Sequence, residues 1–202
     1  MMNYIKFLIS LIYNYKIYTL HILIFEIIYI LKYGTKFNTF KIFNTSTSSQ
    51  PLPCTYYILL KIKKFLLKKK TKYICDLGSG YGKVLFYLGY INNYKISGYE
   101  LDKNLFHFAK INLKKKCKIL NKNILKVNFF YQKYECFIIN DPLKKTKDYK
   151  TLIYNITKIK KKFKRYLIII NIGPKKVKVM KKFKLVDKII MSNFRNFFIF
   201  EI

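Results

Sequence analysis

The chain has 202 residues, enough for one domain with an extension and for a substantial buried core. It carries 41 Lys and Arg against 9 Asp and Glu, a formal net charge of +32, and such an excess points to a phosphate-rich partner: RNA, DNA or an anionic membrane. The charge alone excludes less than it suggests. Arg165 and Arg195 are the only arginines, Ala109 is the only alanine and Trp is absent, while Lys, Asn, Ile, Tyr and Phe, whose codons are A/T-rich, fill the chain. A surface selected for phosphate would use the bidentate guanidinium more often, so compositional drift stands beside nucleic-acid binding as an account of the lysines. Cys54, Cys75, Cys117 and Cys136 lie far apart without a C-x-x-C pair; no metal site follows, and reduced, buried thiols are expected.

Residues 1–33 are apolar but interrupted by Asn14, Lys16, His21 and Glu26. Charges near the centre of a span are costly and no small-residue cleavage site follows, so three readings stand open: helices packed on the core, a membrane-associated anchor, and a targeting segment. His21, alone on an apolar face, is expected to be a packed histidine. Residues 34–50, with the run Asn44-Thr-Ser-Thr-Ser-Ser49, have linker composition. Pro51 and Pro53 then precede a helical pattern that places Ile58, Ile62, Phe65 and Leu66 on one face.

Tyr73-Ile-Cys-Asp76-Leu-Gly78-Ser-Gly80-Tyr-Gly82-Lys83 reads as a buried strand running into a glycine-rich turn that opens a helix over residues 83–90. Val84 follows Lys83 where a P-loop needs Ser or Thr, and the spacing G-x-G-x-G is not the dinucleotide fingerprint. Lys95-Ile-Ser-Gly-Tyr-Glu100 reads as the next strand, ending in an acid roughly 20 residues past the glycines, where a carboxylate binds ribose hydroxyls.

Asp76, the three glycines and Glu100 in this register resemble motif I of the class I S-adenosylmethionine-dependent methyltransferases. With Phe25-Glu26, Tyr33-Gly34-Thr35 and Gln50-Pro51-Leu-Pro53 ahead of it, the order is similar to a group of small methyltransferases that carry an Asn-Pro-Phe motif after the fourth strand. The combination of Asp76-Leu-Gly-Ser-Gly80 with Gly98-Tyr-Glu100-Leu is also similar to membrane-anchored mitochondrial protein-lysine methyltransferases. The resemblance implies an α/β fold: a Rossmann-like seven-stranded methyltransferase sheet with an antiparallel last strand, over residues 51–202, preceded by the apolar helical extension of residues 1–33 and the linker of 34–50. It implies S-adenosyl-L-methionine as cofactor, held by Asp76, Gly78, Ser79, Gly80, Gly82, Glu100, Leu101, Asn123, Ile124 and Asn140. Asn123 stands where the family usually has an acid facing the adenine amino group.

Further along, residues 104–115 read as a helix with Leu105, Phe108, Ala109 and Asn112 inward, Lys118–Leu120 as a strand, and Glu135–Asn140 as a buried parallel strand. That strand runs into Asp141-Pro142-Leu143, which resembles the family's motif at the transfer site, with Asp141 and Pro142 as the implied catalytic residues and Leu143 where a stacking aromatic is usual. Residues 151–163 read as a helix, 166–172 as a fifth strand, and 184–191 and 196–202 as a closing hairpin with Arg195 in its turn. The implied partner is a methyl acceptor, a protein lysine or other amine, or RNA; a degenerate cofactor-binding or membrane-associated scaffold is the non-enzymatic alternative. Cytoplasmic and mitochondrial locations both remain open.

Overall fold

The computed structural model describes residues 19–34, 37, 54–113, 116–129, 133–158, 164–192 and 195–202. Most of the expected linker, residues 1–18, the prolines 51 and 53, the run 160–162 and the turn preceding Arg195 lie outside these, as does the side chain of Arg195.

Helix α1 (Thr19–Tyr33) and helix α2 (Tyr56–Lys68) precede the sheet. Thr55 caps α2 by accepting the Ile58 N–H through Oγ1. Strand β1 (Tyr73–Leu77) leads through the glycine loop into α3 (Lys83–Leu85), which widens into a π turn over Phe86–Ile91. Gly89 sits in that turn because a Cβ there would fall 2.5 Å from Cys117 Sγ and 2.6 Å from Ile96; π turns of this kind arise where a helix must fit a local constraint. Then follow β2 (Lys95–Glu100), α4 (Lys103–Asn112), β3 (Lys118–Asn121), β4 (Cys136–Asn140), α5 (Thr146–Thr157), β5 (Tyr166–Ile170), α6 (Pro174–Val177), β6 (Lys184–Ser192) and β7 (Arg195–Glu201).

The seven strands lie in the order β3-β2-β1-β4-β5-β7-β6. β1 to β5 pair in parallel, and β7 runs antiparallel to both β5 and β6. This is the expected Rossmann-like seven-stranded sheet, closed by an antiparallel last strand. The central strands are near-continuous apolar runs because both faces are covered. Alternate residues divide between them: Ile74, Ile138 and Ile168 join α1, α2, the π turn and α4 on one face, and Cys75, Phe137, Ile139, Leu167 and Ile169 join α5 on the other.

Three expectations need correcting, and one helix was missed. α5 begins at Thr146 rather than Thr151. The helix expected over 83–90 is α-helical for one turn only. α6, between β5 and β6, was not legible among its lysines. His21 is exposed, because α1 turns Ile22 and Glu26 inward instead.

α1 is packed on the domain. Tyr29 stacks on Tyr56 with centroids 4.6 Å apart and shares a 3.3 Å hydroxyl hydrogen bond with Tyr87. Among the described residues no helix is long and apolar enough to cross a membrane.

Candidate active site

Leu77 pairs with Tyr99 on one side and Ile139 on the other, so the chain leaves β1 between the carboxyl ends of β2 and β4, the place where open α/β sheets bind ligands. The loop is pinned from β2. The Tyr99 carbonyl accepts the N–H of Gly78 at 2.9 Å and of Ser79 at 3.0 Å, and the Ser79 hydroxyl lies 3.3 Å from it. Gly78, Gly80 and Gly82 have φ of +84°, +53° and +83°, a left-handed course that side chains resist. Ser79 therefore points into the fold, against Gly98, where an added Cβ would fall 2.3 Å from its Oγ.

Glu100 braces the same loop. Its Oε2 accepts the Gly80 N–H at 2.7 Å and its Oε1 the Asp102 N–H at 2.9 Å, and the Leu101 N–H is a third backbone donor to the same carboxylate. Burial raises the Glu100 pKa while these backbone donors oppose the rise. Asp76, just below the bend, is 1% exposed, and neither carboxylate oxygen has a hydrogen-bond partner among the described residues. Burial, with the neighbouring charge of Glu100, pushes its carboxyl up to about 8. Folded chains rarely leave a buried carboxylate without a donor.

The loop after β4 touches this cradle. A Cβ on Gly78 would fall 2.3 Å from the Pro142 Cβ, so Pro142 rests directly on the glycine backbone. Asp141 has φ +37°, tolerable for Asp. Its Oδ1 accepts the Tyr149 hydroxyl at 2.9 Å and the Lys176 ammonium at 2.6 Å. Lys176 Nζ also donates to the Leu143 carbonyl at 2.5 Å and lies 5.1 Å from the centre of the Tyr149 ring. Leu143, expected at a stacking position, is instead buried in the core. Asn140 Oδ1 accepts from Asn171 Nδ2 at 2.9 Å.

Asp76, Gly78, Ser79, Gly80, Gly82 and Glu100 are thus contiguous, with Asn140, Asp141 and Pro142 along one side. Asn123 and Ile124 follow β3, tied back through Asn121, which donates to the Glu100 and Leu101 carbonyls. The Asn123 amide oxygen caps the next turn by accepting the Leu125 N–H at 2.9 Å, and Leu101 is half exposed. Among the described residues no group of side chains could hold a metal ion.

Sequence reasoning missed three residues here. Lys83, just after the loop, is buried and paired at 3.0 Å with the buried Glu26 of α1, over the face of Tyr56; Glu26 also accepts the Tyr56 N–H. The interruption by Glu26 of an apolar run was the available signal. Tyr149 and Lys176 gave none, since both residue types are abundant in this chain.

No protein-family model matches the chain, and no curated protein matches it in sequence. Solved structures do resemble it. Magnesium protoporphyrin IX methyltransferase from Synechocystis, solved with bound S-adenosylmethionine, has a TM-score of 0.57 at 15% identity over 72% of this chain and 77% of its own. The N-methyltransferase NodS from Bradyrhizobium japonicum has a TM-score of 0.58 at 7% identity over 72% and 94%. A protein from Pyrococcus horikoshii has a TM-score of 0.59 at 12% identity over 72% and 90%. At such identities the likeness is one of fold.

Proposed function

We propose that the chain is an S-adenosylmethionine-dependent methyltransferase that acts on an amine nitrogen, with a protein lysine as the acceptor. The observation that carries this reading is the buried carboxylate of Asp76, without a hydrogen-bond partner among the described residues, beneath a left-handed glycine loop. A ligand with an ammonium group would supply the missing donor, and the cofactor's methionine part has one.

When bound, the cofactor supplies a methyl group already activated on a sulfonium, which leaves the protein the work of positioning. Asp76 accepts from the ammonium, and the side-chain-free backbone of Gly78, Gly80 and Gly82, its N–H groups already taken by Tyr99, Glu100 and Ser79, lets the methionine part lie directly against the loop. The acceptor capacity that Glu100 keeps beside its three backbone donors takes a ribose hydroxyl. Leu101, Asn123 and Ile124 border the adenine; with the Asn123 oxygen turned to Leu125, its amide hydrogens are its contribution to that ring. Asn140 closes the side next to β4. Asp141 orients the acceptor amine, and Pro142 fixes Asp141 against the loop.

Calorimetry with S-adenosylmethionine on the full chain tests the reading: micromolar binding is expected, lost in Glu100→Ala. Asp141→Ala should keep the cofactor affinity and abolish transfer of radiolabelled methyl groups to lysate protein. Label in RNA instead would reassign the acceptor, and tight binding with no label in any fraction would favour the non-enzymatic scaffold.

A further inference from the structure

The acceptors beside Pro142 are already holding an amine, and it belongs to this chain. Lys176 Nζ donates to a carboxylate at 2.6 Å and to a backbone carbonyl at 2.5 Å, under an aromatic face 5.1 Å away. Carboxylate, carbonyl and ring together are the complement of an alkylammonium: two acceptors for its hydrogens and a negative quadrupole for its charge. A planar nucleobase finds no such match, because Leu143 is buried in the core and offers no flat face.

The acceptors and the amine differ in how firmly they are fixed. Tyr149 is fully buried on α5, a helix of 12 residues, and Asp141 is held between β4 and Pro142. Lys176 rides on α6, four residues long with no buried side chain. Within α6 the apolar contact with the core is the partly buried Val177, so withdrawing the helix costs less than withdrawing α5, and it belongs to the low-stability part of the fold. The cage therefore stays when its occupant leaves.

We infer that Lys176 is an internal occupant of the acceptor position, and that the external ligand displacing it is a primary alkylammonium of the lysine side-chain type. The inference rests on the methyltransferase reading and deepens it by naming the residue that guards the acceptor site. A tethered competitor acts at an effective concentration of about millimolar or above, and it weakens an outside amine by the fraction of time the site is closed. Lys176 is thus a specificity-determining residue: only an amine presented by a well-docked partner outcompetes it.

The test needs no knowledge of the natural acceptor. n-Butylammonium is titrated into the full-length protein, without cofactor, and followed by protein NMR. Lys176→Met should bind it at least tenfold more tightly than wild type, Lys176→Arg should leave the site closed, and adding Asp141→Asn to Lys176→Met should abolish the gain. Equal binding by wild type and Lys176→Met, or a gain that survives Asp141→Asn, overturns the inference. Should Lys176→Met lose cooperative unfolding, Lys176→Gln replaces it with the same expectations. Cofactor calorimetry on the same samples separates the two readings. Amine binding without S-adenosylmethionine binding sinks the methyltransferase and leaves the amine site; the converse sinks the amine site alone.

Discussion

At Asp76 the burial that lifts the carboxyl to about 8 couples stability to pH. Unfolded, the side chain titrates near 4. Between these values the folded chain holds a proton that the unfolded chain has lost, so stability falls as pH rises through this window. Asp76→Asn should flatten that decline in a thermal melt taken from about pH 4 to 8. Cofactor binding should reverse the effect, since an ammonium beside Asp76 favours its ionised form; binding near pH 7 should release a proton, read from calorimetry in buffers of different ionisation enthalpy. The Gly78 torsion and its contact with Pro142 can be separated in the same way. Gly34→Ala meets only a left-handed φ of +79° with open space around it, whereas Gly78→Ala adds a 2.3 Å approach to Pro142. The first should cost about 1–2 kcal/mol, the second about 1–3 kcal/mol more, both measurable by urea unfolding. The glycines and the two acids of the cradle were legible in the sequence because backbone conformation and strand ends restrict which residues can stand there. Tyr149 and Lys176 were not, since their roles come from a meeting between α5 and α6 that no local pattern announces.

Among the elements, α1 is joined to the glycine loop by charge as well as by packing. Lys83 and Glu26 are both buried, and removing one partner of such a pair costs about 3–5 kcal/mol. Glu26→Gln keeps an oxygen for the Tyr56 N–H and isolates the effect on Lys83. It should destabilise the chain by that amount in denaturant unfolding, and adding Lys83→Met should recover most of the loss. If Glu26→Gln proves neutral, the pair has no structural weight. Strands β1, β2 and β4 were readable almost to the residue, because a strand covered on both faces leaves an apolar run with sharp polar ends. The helices were less so: α5 starts among lysines whose stems cover apolar surface as well as meeting water, and the π turn depends on Gly89 lying against Cys117 and Ile96, two partners remote in sequence.

Over the whole molecule, the outer side of α1 stands out. α1 buries Ile22 and Glu26 but leaves Leu20, Ile24, Ile27, Ile28 and Leu31 exposed along one stripe, and residues 1–18 precede it in the chain. The fold class itself was legible because alternating strand and helix patterns with a turn signature after the first strand admit few arrangements. The position of α1 was not, since an apolar run broken by one acid fits a packed helix and a membrane segment equally well until the lysine that meets the acid is known.

The four cysteines acquire a use from this layout. All are free and buried: Cys54 ahead of α2, Cys75 and Cys136 in the central strands, Cys117 at the start of β3 on the sheet's outer edge. Burial pushes the Cys117 thiol up to about 11 and the other three further, so none reacts readily until its surroundings open. Each thiol is in effect a clock set in a different part of the fold. Under a constant dose of alkylating reagent, Cys117 should be modified first and Cys75 and Cys136 last, the order in which an edge frays before a centre. Repeating the dose with S-adenosylmethionine present should slow Cys75, the neighbour of Asp76, more than Cys117, and mass mapping of the alkylated peptides would turn one sample into a regional record of where ligand binding tightens the chain.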